Sequence, residues 1–278
     1  MKQIFDDISH EMSTLTTRKY STSFSLGIRM LNKDIQKPIY AIYGFVRFAD
    51  EIVDSFHEFN KAILLEDFRK QTYQAINDKI SLNPILNSFQ WAVNTYNIPL
   101  DLIETFLVSM KMDLSEQNYD EEQYKAYILG SAEVVGLMCL KVFVEGNEAE
   151  FLRLKPAAMK LGAAFQKINF LRDLDADFNQ LGRLYFPGVE MDEFNTAVKN
   201  KIEADIEADF KAGYLGILQL SKNARFGVYL AYIYYYKLFT KIKKTPAKNI
   251  IKTRIRIPNN RKVGLLMTSY VRHNLNLL

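Results

Sequence analysis

The chain of 278 residues has a single cysteine, Cys139, and three scattered histidines, His10, His57 and His273. A disulfide framework needs paired cysteines and an ordinary zinc site needs a Cys/His cluster, so both are excluded, together with most His-centred nucleophile arrangements. Any metal bound here is a hard one, held by oxygen. Glycine and proline are scarce as well: 12 and 7 residues fall far short of their usual share of roughly 12%. That is too few for the turns of an all-β domain, and an all-α fold is expected. No run approaches 18 uncharged apolar residues, and the N-terminal MKQIFDDISHEM lacks the basic-then-apolar build of a signal peptide. The expectation is a soluble cytoplasmic protein. Acid is missing from one end. No Asp or Glu follows Asp209, while 14 basic residues lie between Lys211 and Arg272. Residues 1–209 hold ten more acids than bases, which a net charge of +4 conceals. Such a division suggests cations bound at one end and an anionic partner at the other.

What is present is apolar and helical in period. Hydrophobic residues make up 48% of the chain, enough for a sizeable core. They recur at helical spacing in blocks at 38–57, 61–77, 84–97, 99–113, 120–145, 148–178, 191–212, 213–243 and 258–272. Pro38, Pro84, Pro99, Pro156 and Pro258 fall near starts or bends of these blocks. With no repeat and no low-complexity linker, the simplest organisation is one α domain over 1–278, with roughly 60–70% helix. The block Phe226–Phe239 is apolar nearly all round, so it runs through the core or lines a cavity.

Two carboxylate pairs stand out. In IYAIYGFVRFADEIVDSF, Asp50 and Asp54 are four apart and share a helix face, with Arg47 three residues before Asp50. Like charges at that spacing repel, and Ala49, Ile52 and Val53 indicate a mostly buried helix, so a bridging divalent cation is a natural counterweight. Oxygen-only ligands point to magnesium, which keeps some waters and shares phosphate oxygens of a substrate. FQKINFLRDLDADF repeats the arrangement with Asp173 and Asp177, and Gln166 and Asn169 extend the same stripe upstream. An i, i+4 acid pair alone is usually a solvated face. Two such pairs in apolar helices, each beside an arginine (Arg47, Arg172), read instead as the lining of a site. The run Asp173, Asp175, Asp177 also imitates the start of a calcium loop, but Phe178 and Leu184 stand where that loop needs Gly and Glu.

Leu161-Gly162, Gln166, Asn169-Phe170, Arg172-Asp173-Leu174, Asp177, Arg183, Tyr185 and Pro187 together resemble the signature of the squalene and phytoene synthase family. Tyr43, Arg47, Asp50 and Asp54 resemble its first aspartate motif, and Ser21-Thr22-Ser23-Phe24 its N-terminal Ser-x-Ser-Phe element. Tyr127, Ala132, Val135 and Gly136 resemble the helix that floors its cavity. Two positions depart from the pattern: Ala176 replaces the usual Glu before the last Asp, with Asp175 as a substitute, and Glu133 replaces a small residue, read as an ordinary partly buried Glu.

The resemblance implies an isoprenoid-synthase-type helical domain around a central cavity, with Asp50, Asp54, Asn169, Asp173 and Asp177 holding Mg²⁺, or Mn²⁺ in its place. Arg47, Arg172, Arg183 and, from the basic end, Arg254 are assigned to substrate diphosphate together with Ser23, Gln166 and Asn169; Arg256 is a further basic residue of that end. Tyr43 and Tyr185 orient diphosphate or carry a departing proton, and Phe24 walls the prenyl tunnel. The implied reaction is head-to-head coupling of two geranylgeranyl diphosphates through a cyclopropyl diphosphate to phytoene. Coupling of two farnesyl diphosphates to squalene or dehydrosqualene is the alternative. No NADPH is expected, since no G-x-G-x-x-G fingerprint is present. A non-catalytic assembly protein is disfavoured by the intact acids, and a nucleic-acid partner by the lack of any recognition motif. Lys237, Lys241, Lys243 and Lys244 are expected to rest on anionic lipid at the inner membrane face. Nothing in the pattern fixes an oligomeric state.

Overall fold

The computed structural model describes residues 1–115, 118–190 and 194–258. Asparagine starts many of its helices: Asn32, Asn60, Asn83, Asn147 and Asn195 each accept, through the side chain, a backbone N–H of the following first turn. The helices are α1 (Lys2–Tyr20), α2 (Thr22–Arg29), α3 (Lys33–Ser55), α4 (Lys61–Asp78), α5 (Pro84–Tyr96), α6 (Leu100–Ser115) and α7 (Glu121–Ile128). A π-helical turn, Leu129–Glu133, joins α7 to α8 (Val134–Phe143), and α9 (Glu148–Leu181), α10 (Thr196–Gln219), α11 (Lys222–Lys243) and α12 (Ala247–Ile250) follow. An all-α protein is what the scarcity of glycine and proline indicated. Among the described residues the one β-type contact is an isolated bridge between Asn118 and Leu184.

Apolar periodicity located α3 to α9 to within a few residues, and missed three things. Helices α1 and α2 precede the first apolar block. The break between α10 and α11 lies at Leu220-Ser221 instead of after residue 212. The block at 120–145 is three elements, because the chain widens at Leu129–Glu133. Residues 259–272 of the last expected block lie outside the described residues. The segment Glu121–Phe143, interrupted by Glu133 and Lys141, is by length and composition long and apolar enough to cross a membrane, yet more than half of its most apolar window is buried inside the protein.

The apolar side chains gather into two cores. In the first, α3, α4, α5 and α6 meet at Phe45, which stacks on Phe89 at 3.9 Å and lies 5.5 Å from Phe68 and 5.4 Å from Phe106. Each such buried ring contributes about 1.5–3 kcal/mol. The second core joins α7, α10, α11 and α12 to the later part of α9 around Ile168, Leu171, Phe210 and Phe239. Helix α9 belongs to both, through Phe151 and Leu154 in one and Ala163 to Leu174 in the other. The aromatic run of α11 divides its faces: Gly227, Val228, Ala231 and Tyr235 line a cavity, while Tyr229, Tyr232 and Tyr236 stack in series on the other side.

Candidate active site

A cavity of about 620 Å³ separates the two cores. Over most of its length the wall is apolar, from Ile28, Leu31 and Ile39 to Leu140, Leu154 and Ile217. The polar groups gather at one end. Asp50 and Asp54 stand one turn apart on α3, Asp173 and Asp177 one turn apart on α9, and all four line the cavity with Gln166 and Asn169. Burial, with the charge of Asp54 beside it, pushes the Asp50 carboxyl up to about 7, although 35% of its side chain is open to the cavity. Burial, with the charges of Asp173 and Asp54, likewise pushes Asp177 up to about 7, so the two pairs act on one another across the cavity.

Arginines hold three of these acids. Arg47 forks between Asp50 and Glu51, and its guanidinium lies 4.3 Å over the Tyr20 ring. Its Nε is buried with no hydrogen-bond partner. Arg172 donates to the neighbouring Asp173 at 3.0 Å, and Arg254, from the coil after α12, ion-pairs with the same carboxylate at 2.6 Å. Gly182, with φ of 66°, ends α9 in the left-handed conformation that glycine adopts at little cost, and the Arg183 N–H donates back to the Asp177 carbonyl at 2.8 Å. That reversal returns the Arg183 side chain to donate to Asp54 at 2.8 Å and to the Asp113 carbonyl at 2.9 Å, so that, against its assignment to diphosphate, it lies buried behind the cavity wall and braces Asp54.

Asp113, near the end of α6, is a site residue that the sequence reading did not find. It is buried and accepts hydrogen bonds from Tyr127 at 2.7 Å, Tyr185 at 3.1 Å and Tyr119 at 3.3 Å. Burial raises its carboxyl to about 6, with Arg183 and Tyr127 pulling the other way. Phe170 stacks on Tyr185 at 4.0 Å and completes this cluster. A lone Asp without an i+4 acid, in the run LVSMKMD, gave no signal.

Next to the carboxylates, Phe24 lies 5.6 Å from Tyr43 and 5.8 Å from Tyr235, and Phe165 stacks on Tyr235 at 4.0 Å. Burial raises the Tyr43 hydroxyl to about 12, so it stays neutral. Phe165 and Tyr235 were not singled out, although each neighbours a residue that was or lies in the flagged aromatic run. Tyr127, Ala132, Val135 and Gly136 also line the cavity.

The assignments of Ser23, Asp175 and Arg256 need correction. Ser23 does not line the cavity. It lies beside Tyr234, and Ser21 takes the wall position because it caps α2 and turns inward beside Tyr43. Asp175 is about 200° round the helix from Asp173 and off the wall, so it does not stand in beside Ala176. Glu133 is the ordinary partly buried Glu it was read as, facing Lys160, Lys167 and Asp209 of α9 and α10. Of the basic run, Lys243 ion-pairs with Glu207 at 2.9 Å and Lys241 donates to the Arg256 carbonyl at 2.7 Å. Arg256 itself is exposed and off the wall.

Among the described residues, no three Asp, Glu, His or Cys side chains converge closely enough to enclose a metal ion. The reason is visible: Asp50, Asp54 and Asp173 are each turned to an arginine. The donor chemistry still fits a hard divalent cation. Every donor is oxygen, two carboxylate pairs share one cavity, and Asp177 forms no ion pair among the described residues.

The helical arrangement matches a dehydrosqualene synthase solved in complex with a ligand, with a TM-score of 0.80 at 20% identity, covering 97% of this chain and 98% of that one. Squalene synthase HpnC from Alicyclobacillus acidocaldarius matches with a TM-score of 0.74 at 19% identity, over 85% of this chain and 93% of that one. The fold is therefore that of the all-α isoprenoid synthases. Within that class the chain belongs to the squalene/phytoene synthase family, whose sequence model matches residues 17–261. Relatives include phytoene synthase 1, chloroplastic, of Solanum lycopersicum, 24% identical over 91% of this chain and 66% of that protein. The 4,4'-diapophytoene synthase of Staphylococcus haemolyticus (strain JCSC1435) is 24% identical over 69% of this chain and 67% of its own. The chain thus spans about two thirds of the length of the curated relatives it matches.

Proposed function

We propose that the chain joins two prenyl diphosphates head to head, and that the substrate is geranylgeranyl diphosphate and the product phytoene. The observation that carries this is the meeting of two aspartate pairs, from α3 and α9, at the polar end of an otherwise apolar cavity. Asp50, Asp54, Asp173 and Asp177, with Asn169, would hold magnesium, which when bound neutralises negative charge on a leaving diphosphate. The chain's own residues do the rest. Arg47, Arg172 and Arg254 on the wall bind diphosphate oxygens while Arg183 behind it holds Asp54, and the unpartnered Nε of Arg47 is a donor awaiting such an acceptor.

The C1–O bond of the donor breaks with its electron pair leaving on diphosphate. The rings of Phe24, Tyr43, Phe165 and Tyr235 on the wall stabilise the allylic cation, and the apolar wall excludes the water that would capture it. C1 then bonds to the 2,3 double bond of the second substrate, and loss of a proton closes a cyclopropane. A second ionisation, rearrangement and proton loss give a C40 triene.

The alternative substrate, farnesyl diphosphate, is favoured by the names of two relatives, a dehydrosqualene synthase and a diapophytoene synthase. The test is a product chromatogram with C15 and C20 diphosphates offered in competition, with magnesium and without NADPH. A C40 triene is expected, and hydrocarbon of C30 alone would overturn the substrate choice.

A further inference from the structure

Helix α9 runs the length of the cavity and gives its depth. Its wall residues pass from Asp173 at the polar end through Asn169, Phe165, Leu161 and Ala158 to Leu154, and no residue of α9 before Leu154 lines the cavity. Asn169, Phe165, Ala158 and Leu154 fall within about 60° of one another round the helix, so they form one face. At 1.5 Å per residue, Leu161 lies about 12 Å inward of Asn169, Ala158 about 17 Å and Leu154 about 23 Å.

Two neighbouring helices carry the same scale. Helix α8 runs antiparallel to α9 at close range, with Gly162 against Ala132, and a Cβ on Gly136 would come within 3.1 Å of the Ala158 carbonyl oxygen. Helix α10 is antiparallel as well, with Gly213 against Leu161 and Gly216 against Ala157. Cys139 and Leu140, one turn past Gly136, and Leu220, one turn past Gly216, are therefore level with Leu154 and bound the inner end of the cavity with it. Leu140, Leu154 and Leu220 are buried in the first core. Burial pushes the Cys139 thiol up to about 12, which keeps it neutral in this apolar end.

A prenyl tail can be laid against these levels. Each isoprene unit adds four chain bonds of about 1.5 Å, which in zigzag advance about 5 Å. With the diphosphate held at Asp173 and Arg172, C1 enters about one turn further in, level with Asn169. Three units then end about 15 Å inward, before Ala158, and a fourth passes Ala158 and Gly136 to end at about 20 Å, short of Leu154. A fifth, at about 25 Å, meets Leu140, Leu154 and Leu220. The fourth unit buries further apolar area that a C15 tail leaves empty, which favours the longer substrate.

We infer that Ala158 determines the tail length this chain accepts: it borders the fourth isoprene unit, and the inner end formed by Leu140, Leu154 and Leu220 excludes a fifth. The inference takes its ligand class, a prenyl diphosphate, from the proposed reaction and adds the position that selects among tails. Calorimetric titration with magnesium and non-ionising thiolodiphosphate analogues of C15, C20 and C25 length reads it without turnover. Wild type is expected to bind C20 at least about tenfold more tightly than C25. Ala158→Phe should lose about tenfold or more for C20 while its C15 affinity stays within about twofold, and Leu154→Ala should gain about tenfold for C25. Equal losses for C15 and C20 in Ala158→Phe, no loss at all, or a wild type that binds C25 as tightly as C20 overturns the inference. Should Ala158→Phe fail to show native helical circular dichroism, Leu154→Ala decides it: unchanged C25 affinity there is equally fatal. Products separate this inference from the reaction on which it rests. A chain that follows these affinities yet forms no hydrocarbon from C15 or C20 diphosphate refutes the reaction and leaves the length assignment standing, whereas C40 product from Ala158→Phe at the wild-type rate refutes the length assignment alone. A chain that binds none of the three analogues refutes both.

Discussion

Asp113 holds more of the site together than any residue that announced itself in the sequence. Three tyrosine hydroxyls converge on its carboxylate, and Arg183 is anchored on its carbonyl while also reaching Asp54. Asp113→Asn keeps the shape and removes the charge that orients these donors. Turnover is expected to fall about 100-fold, the scale of a misplaced catalytic group, with helical circular dichroism retained. Activity within twofold of wild type would show that the tyrosines and Arg183 position themselves. The contrast with the four motif aspartates shows what is legible at this scale. Spacing of four along one chain segment reveals Asp50/Asp54 and Asp173/Asp177, because the helix itself brings them together. Asp113 becomes a site residue only through Tyr185, 72 residues later, and no local pattern records that meeting. The exchange of Ser23 for Ser21 has the opposite cause: the motif was visible, but which hydroxyl turns inward depends on where α2 begins.

Among the elements, the π turn at Leu129–Glu133 sets the shape of the cavity floor. One wide turn rotates α8 relative to α7, so that Tyr127, Ala132, Val135 and Gly136 all face the cavity. The turn is held from both sides by glycine. A Cβ on Gly130 would come within 2.5 Å of the Ser109 Cβ, and one on Gly162 of α9 within 2.7 Å of the Ala132 carbonyl oxygen. Gly162→Ala is therefore expected to cost about 1–3 kcal/mol, seen as a melting temperature several degrees lower, and to reduce turnover by shifting Ala132. An unchanged melting curve would mean that α9 has slack here. Periodicity revealed the central helices because they bury apolar stripes. It failed for α1, whose buried stripe is hydroxyl and whose apolar stripe faces outward, and for the α10–α11 boundary, where apolar residues continue across the break at Leu220-Ser221.

For the molecule as a whole, the acidic excess of residues 1–209 has an energetic signature. Asp50 and Asp177 titrate near 7 and Asp113 near 6 in the folded chain, above their unfolded value near 4. A raised carboxyl stabilises the folded state fully below its unfolded pKa, and that contribution is lost as pH rises through the folded value. His10, lowered mainly by burial, acts in the opposite direction as pH falls through 6.5. With three carboxyls against one imidazole, the metal-free chain is expected to melt several degrees higher at pH 6 than at pH 8. Asp50→Asn/Asp177→Asn should flatten that profile, and a profile rising towards pH 8 would contradict the assignment. The charge division was legible from composition; its concentration into one polar end of a cavity was not, since that needs α3, α6 and α9 side by side. Helix α9 has a further consequence for how the chain comes apart. Because its 34 residues are planted in both cores, neither half can melt while the other keeps the helix whole. The cavity that divides the protein in space is therefore not expected to divide it in time: both sides of it should be lost in a single calorimetric transition.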